Sequence, residues 1–297
     1  MHNHIIGFGD IGQRVAKLEL ARGHQVSTIL RNKARIDAVN NSGIDVTYAD
    51  LDLPDTLHRQ LPQQTRVFYF APPPATGTAD SCMENWLNSI KNITPAKIIY
   101  ISTTGIYGDC QGQWVDEQHP PNPTTDRAKR RLSAENQLAK WGQIRTVPII
   151  RLRVPGIYHP STLPIISLQR GRPILRSEDA PYSNRIHADD LAQICLAAAD
   201  HGVAGNVYNV ADNDTSSMSN YFIKIAYAFG LPKPLEISWE EAKLELSPTM
   251  ISYLQESRRI SNRKMISQLG VKLLYPTLDD GLRCLGKSAT AQPPAFL

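Results

Sequence analysis

The sequence is short of cysteine, of long apolar runs and of runs of one charge. Its four cysteines, Cys82, Cys110, Cys195 and Cys284, lie far apart in 297 residues and make no C-x-x-C pair. They form neither a disulfide framework nor a zinc-ligand set, which suits a reducing cytoplasm. No two histidines or acids stand at metal-ligand spacing, so no metal is expected. No apolar stretch approaches the roughly 18 residues that cross a bilayer. The first residues enter a strand directly and leave no room for a signal peptide. A cytoplasmic protein is therefore expected. The net charge of +4 comes without the Lys/Arg run of a nucleic-acid arm. Neither nucleic acid nor membrane is expected as a partner. Hydrophobic residues make up 41% and charged residues 20%, ordinary values for a globular protein, and the chain is long enough to bury a core without staples.

What is there begins at the N-terminus. Asn3 to Gly12 reads as a short buried strand, a glycine turn and the start of a helix running from Ile11 to about Ala21. Gly7, Gly9 and Gly12 have the spacing G-x-G-x-x-G. The first glycine permits the tight turn and the second lets backbone approach a pyrophosphate. The third lets helix and strand pack closely. Exposed N–H groups at the helix start, with the helix dipole, favour phosphate at Phe8, Gly9, Asp10 and Ile11.

Strands and helices then alternate. Strands are expected at 25–30, 44–48, 66–70 and 97–101, and helices near 34–41, 55–60 and 80–91. Such alternation argues for βαβ units and a parallel sheet covered on both faces. A helix near 125–141 and a sixth strand at 147–152 follow. Beyond, prolines and short elements dominate, with a helix at 188–199, a strand at 206–210 and a helix at 218–229. The pattern predicts an α/β protein: a Rossmann-like, doubly wound parallel sheet with a smaller C-terminal substrate lobe. The expected boundaries are 1–152 for the dinucleotide-binding domain, 153–285 for a lobe interleaved with the last sheet elements, and 286–297 for a tail. No internal repeat is evident.

The end of the second strand selects the cofactor. An acid there binds a ribose hydroxyl, whereas an arginine accommodates a 2′-phosphate. The chain has Leu30-Arg31-Asn32-Lys33-Ala34-Arg35, with no acid. Cations at a helix start oppose its dipole, and a bound phosphate would offset that cost. Arg31, Asn32 and Arg35 thus point to NADP(H), with NAD(H) as the alternative.

Several stretches, in order, resemble the extended short-chain dehydrogenase/reductases, the group of nucleotide-sugar epimerases and dehydratases. They are Ile101-Ser102-Thr103-Thr104-Gly105-Ile106-Tyr107-Gly108, Arg151-Leu152-Arg153 to Tyr158, Arg185-Ile186-His187-Ala188-Asp189-Asp190, Tyr208-Asn209-Val210, and Ser261 to Leu282. The resemblance implies that Asp50 and Leu51 lie by the adenine, and Ala71 and Pro72 near the nicotinamide ribose. It implies that Thr103 orients substrate. It also implies a Tyr-x-x-x-Lys pair after the fifth strand, and there the chain departs. No tyrosine lies between Tyr107 and Tyr158. Aligning on Leu132 and Glu135 puts Arg127 and Arg131 at the two positions; the register that uses Lys129 puts Thr125 at the first. Arginine stays protonated, and a threonine hydroxyl needs a separate base. This resembles the atypical subgroup that keeps the fold without the standard tetrad.

Tyr107 is the nearest replacement phenol, against a packing role at a strand corner. His187, Asp189 and Asp190 read as a helix start, with the aspartates as cap and dipole partners and the histidine as a satisfied structural residue. His119 and His159 read as surface loop residues. Arg151, Arg153, Arg170, Arg172, Arg176 and Arg185 suit a small-molecule substrate that is phosphorylated or nucleotide-linked, against the reading of surface charge. The expected partners are that substrate and a second copy of the chain in a homodimer. Two functions follow: an NADP(H)-dependent oxidoreductase or epimerase/dehydratase with an atypical active site, or a non-catalytic dinucleotide sensor that reports to a partner.

Overall fold

The computed structural model describes residues 1–57 and 61–286. The strands are β1 (His2–Ile6), β2 (Gln25–Leu30), β3 (Asp45–Tyr48), β4 (Arg66–Tyr69), β5 (Lys97–Thr103), β6 (Trp114–Val115), β7 (Ile149–Val154), β8 (Gly156–Tyr158), β9 (Ile174–Leu175), β10 (Arg185–His187), β11 (Val207–Asn209), β12 (Glu236–Ile237) and β13 (Arg259–Ile260). The helices are α1 (Asp10–Ala21), α2 (Ile36–Asn40), α3 (Ser81–Ser89), α4 (Asp126–Arg145), α5 (Ile165–Gln169), α6 (Ala188–His201), α7 (Met218–Ala228), α8 (Trp239–Glu245), α9 (Pro248–Leu254), α10 (Arg263–Leu269) and α11 (Leu278–Gly286).

Seven strands form one sheet in the order β11-β7-β5-β4-β1-β2-β3, and every pairing in it is parallel. The expected Rossmann-like α/β architecture is present. Parallel strands need crossovers, so helices cover both faces. Ile5, Phe68, Ile99, Ile150 and Leu152 meet α1 and α6 on one side. Val67, Tyr69, Ile98, Tyr100 and Ile149 meet α3 and α4 on the other. Strand order reverses between β1 and β4, which opens a crevice at the carboxyl ends of the strands.

The second half joins the sheet and also stands beside it. β7 and β11 extend the sheet, while β8 pairs with β10, β9 with β12 and β6 with β13 as two-stranded parallel ribbons. Tyr221 and Phe222 of α7 and Met250 and Tyr253 of α9 thereby face the carboxyl ends of β5 and β7. Three local expectations shift. The helix near 34–41 is a 3₁₀ turn, Lys33–Arg35, followed by α2, because Asn32 caps the turn at Ala34 N (3.1 Å). The helix at 55–60 is a 3₁₀ turn, Pro54–Thr56; residues 58–60 lie outside the described residues, as does the tail from 287 on. Strand six runs two residues later, so Arg153 and Val154 belong to β7.

Arg153 is therefore interior rather than a substrate-lobe cation. Its Nε and a terminal nitrogen donate to both oxygens of Glu135 on α4, at 3.1 and 2.8 Å. Its other terminal nitrogen donates to the Tyr107 hydroxyl at 2.9 Å. Both members of the ion pair are buried. Removing one partner from a buried pair strands the other charge. Glu135→Ala is expected to destabilise the fold by about 3–5 kcal/mol, measured by urea unfolding. A loss below 1 kcal/mol would show that the pair is not what ties α4 to β7.

Candidate cofactor and substrate site

The glycine turn has the geometry its spacing demands. Gly7 sits at φ +89°, and a Cβ there would come closer than 3.0 Å to Ala71 N and to the Phe70 carbonyl carbon. A Cβ on Gly12 would come closer than 3.0 Å to Gly7 O. Gly9 differs: a Cβ there would meet nothing within 4 Å. The backbone before α1 is thus packed from behind and open in front, which fits a pyrophosphate laid on the N–H groups of the first turn. Phe8 points back into the core. Asp10 is turned aside, bonded to Arg14 at 3.0 Å and lying 3.6 Å from His159.

Around this turn stand the other cofactor candidates. Arg31 and Arg35 are exposed at the end of β2, while the Asn32 side chain is committed to its cap. Lys33 lies over the Tyr48 ring, 4.5 Å from its centroid. Asp50 and Leu51 follow β3, with the Leu51 carbonyl accepting from Asn85 at 2.8 Å. Ala71 is buried behind Gly7, and Pro72 faces a cleft of about 740 Å³.

That cleft lies beyond the carboxyl ends of β5 and β7. Thr103 lines it, with its Oγ1 accepting from Gly105 N at 3.1 Å. So do Arg127 and Arg131 of α4. Arg131 donates to the carbonyls of Ala71 (3.1 Å) and Ile101 (3.2 Å) and to the Tyr100 hydroxyl (3.4 Å). It thereby clamps the ends of β4 and β5 to α4. Arg127 donates to Ser252 at 3.0 Å and lies over the Tyr253 ring, 4.2 Å from its centroid. Thr125 also lines the cleft, and its Oγ1 has no partner among the described residues.

Tyr107 is not brought to this place. Its side chain is buried, its hydroxyl donates to Asn209 (2.8 Å) and accepts from Arg153, and it is not among the residues lining the cleft. Burial pushes its pKa up, against the lowering influence of Arg153. The phenol works as a strut between β7 and β11.

The cap expected of the aspartates and the surface place expected of His159 are corrected, while His187 is a satisfied structural residue as expected. His187, not an aspartate, caps α6: its Nδ1 accepts from Asp189 N at 3.2 Å. Burial lowers its pKa to about 4, so the ring stays neutral and keeps a lone pair for the cap. Asp189 pairs instead with Arg14, and Asp190 receives Leu274 N (2.6 Å) and Tyr275 N (3.0 Å). His159 is not a free surface residue but packs beside Asp10.

Of the six arginines read as substrate-facing, only Arg185 lines the cleft. Arg151 reaches Gly205 O (2.6 Å) and Arg153 pairs with Glu135. Arg170 and Arg172 border a separate cavity. Arg130 and Arg258, unremarked in the sequence, do line the cleft. No local signal marks them, because they arrive from α4 and from beside β13. Among the described residues no cluster could hold a metal, and no helix is long and apolar enough to cross a membrane.

Gly9→Val is expected to fold normally and to lose dinucleotide binding, because its Cβ enters open space where a phosphate must approach. Gly7→Ala, by contrast, is expected to lose stability. Fluorescence titration with NADPH and thermal unfolding separate the two; undiminished NADPH affinity in Gly9→Val would overturn the assignment.

The model of a family described as NAD(P)H-binding matches residues 7–202. The mouse dTDP-D-glucose 4,6-dehydratase is 27% identical over 125 residues, 39% of this chain. That match spans only 35% of the dehydratase's length. Protein YeeZ of Escherichia coli is 24% identical over 249 residues, covering 77% of this chain and 84% of YeeZ. A conserved protein of unknown function from Silicibacter pomeroyi superimposes with a TM-score of 0.82 at 27% identity, over 97% of this chain and 99% of that one. A UDP-glucuronic acid 4-epimerase from Bacillus cereus and a dTDP-glucose 4,6-dehydratase from Bacillus anthracis, each solved in complex with NAD, share the fold. With its glycine turn at the switch point of a seven-stranded parallel sheet, the chain belongs to the NAD(P)H-binding family, and its fold is that of the epimerases and dehydratases.

Proposed function

We propose that the chain is an NADP(H)-dependent oxidoreductase or epimerase/dehydratase. Its substrate is anionic and sugar-like, phosphorylated or nucleotide-linked, and its active site works without a Tyr-x-x-x-Lys pair. One observation carries this reading. Among the described residues, the cleft beside the glycine turn is lined by five arginines, Arg127, Arg130, Arg131, Arg185 and Arg258, and by a single carboxylate, Glu256. A concave site with one sign of charge and low-dielectric walls concentrates ligands of the opposite sign. The mouse relative is named for a nucleotide-linked sugar, dTDP-D-glucose.

The residues divide into roles. The first turn of α1 holds the pyrophosphate. Arg31 and Arg35, exposed and without an acid between them, receive the 2′-phosphate of NADP(H). The bound nicotinamide supplies hydride chemistry. Thr103 presents a hydroxyl to substrate at the end of β5. In the register anchored on Leu132 and Glu135, Arg127 and Arg131 fall at the positions of the phenol and the ammonium, and in the register that uses Lys129 the first position is Thr125; a guanidinium is not a proton-transfer group near neutral pH. Arg131 is further tied to two carbonyls. The cleft as built therefore binds and orients an anion better than it moves a proton.

NADP(H) is expected to bind more tightly than NAD(H), and Arg31→Ala to reduce that preference about tenfold, the scale of one charge-assisted contact of ~1.5–3 kcal/mol. Tighter NAD(H) binding by the parent would refute the role of the cluster. Turnover of dTDP- and UDP-sugars is expected to be low, since a missing acid/base group typically loses ~10²–10⁴ in rate. NADP(H)-linked absorbance assays of the parent, of Arg127→Tyr with Arg131→Lys, and of Tyr107→Phe check this. A gain in the double variant would support a site that lacks only its proton-transfer pair. Robust parental turnover would contradict the low-activity expectation. Tyr107→Phe is expected to lower stability rather than change chemistry.

A further inference from the structure

Arg185 opens β10 and lines the cleft. Its guanidinium lies over the Tyr221 ring, 4.0 Å from the centroid. One terminal nitrogen donates to the sulfur of Met218 at 3.0 Å. Its Nε is buried and has no partner. Among the described residues no carboxylate lies within ion-pair distance of it. An arginine carries five N–H donors, and a thioether is a weak acceptor for one of them.

The other four arginines of the cleft each have an oxygen acceptor. Arg127 has Ser252, Arg130 has the Gly77 carbonyl, Arg131 has the carbonyls of Ala71 and Ile101, and Arg258 has the Gly108 carbonyl and Glu256. Arg185 alone among the five has only sulfur. The acid that could neutralise it does not: burial pushes the Asp212 carboxyl up to about 8, so it holds its proton near neutral pH. Burial also pulls the Arg185 pKa down, against the raising influence of Tyr221 and Asp212. A charge withdrawn from water is ordinarily paired, and the Arg153–Glu135 pair shows how this fold pairs one.

The neighbouring backbone is shaped to keep the guanidinium in place. A Cβ on Gly156 would come closer than 3.0 Å to a terminal nitrogen of Arg185. The missing side chain is the seat of the guanidinium. Tyr221 and Met218 wall it with apolar surface, and low dielectric strengthens any charge contact made there. The planar fork suits a phosphate or carboxylate, which takes two parallel N–H bonds.

We propose that Arg185, seated on Gly156 and Tyr221, is the anchor for an oxyanion of the substrate, a phosphate or a carboxylate, within the arginine-lined cleft. This rests on the reading of that cleft as the substrate site. Calorimetric titration of the protein saturated with NADP⁺, using inorganic phosphate in one arm and malonate in the other, tests it. The arm that binds identifies the oxyanion. Arg185→Met and Gly156→Ala are each expected to weaken that binding about tenfold or more, the scale of a charge-assisted contact, with NADP⁺ affinity unchanged. Arg176→Met, an exposed change outside the cleft, is expected to leave it intact. Arg185→Met is also expected to melt at or above the parent temperature, since it removes a half-buried charge that has no carboxylate partner among the described residues. The proposal is overturned if Arg185→Met binds either anion as the parent does, if Arg176→Met loses as much, or if the parent binds neither anion. Failure of the parent to bind NADP⁺ would count against the functional reading alone; the same titrations without cofactor then decide on Arg185.

Discussion

No side chain fits between Gly7 and the backbone of Phe70 and Ala71. That close approach is the constraint on which the rest depends. It brings the ends of β1 and β4 together where the strand order reverses, and it turns the chain so that α1 starts over the crevice. The second approach, Gly12 on the Gly7 carbonyl, fixes the helix against the strand it has just left. With both contacts made, the N–H groups of the first turn face outward and Gly9 stands in open space. The cofactor turn is the exposed side of a packing solution.

From there the structure transmits position by buried polar contacts rather than apolar packing alone. Arg131 reaches across to the carbonyls of Ala71 and Ile101, so the face of α4 that looks into the cleft is tied to the ends of β4 and β5. Glu135, one turn further along, binds Arg153 on β7, and Arg153 binds Tyr107, which binds Asn209 on β11. Asn209 also donates to the Val115 carbonyl of β6 at 3.2 Å. A single chain of donors and acceptors therefore runs from α4 to the ribbon that carries β13 and, beside it, Arg258. Each link is costly to leave half made in a low-dielectric interior. The cleft is thereby positioned by the fold's internal hydrogen bonding.

What was legible in the sequence was local or periodic. The glycine spacing specifies its own turn, and strands buried on both faces show as apolar runs whose alternation with helices implies the parallel sheet. The ribbons β6/β13, β8/β10 and β9/β12 were not legible. Each strand has only two or three residues, and each pairing joins segments whose partners no local pattern names. The same limit explains the arginines. Arg153 and Arg185 sit in similar strand-like stretches; what separates an internal strut from a cleft residue is Glu135, far away in sequence on α4. His187 took the cap expected of an aspartate because a neutral imidazole nitrogen accepts as an oxygen does, and only burial reveals that it is neutral. Arg130 and Arg258 had no signal at all until α4 and the β13 ribbon met.

The arginine content of the cleft also bears on what kind of chemistry the proposed site performs. A phenol and an ammonium placed four residues apart on α4 would move a proton, because the cation lowers the phenol's pKa towards neutrality. Two guanidinium groups in that spacing remain charged throughout the accessible pH range, so they act on charge already present in the ligand or developing in it. Preorganised donors aimed at developing charge are a large source of rate in their own right. Arg131 is held by three acceptors and does not need to reorganise, whereas Arg127 is braced against Tyr253 and Ser252 of α9. Arg127 thus couples α9 to α4 through a cation–aromatic contact and a hydrogen bond. In the proposed site, then, proton transfer falls to a group other than α4's, or to the substrate's own ionisation, and the protein contributes binding, orientation and electrostatic stabilisation.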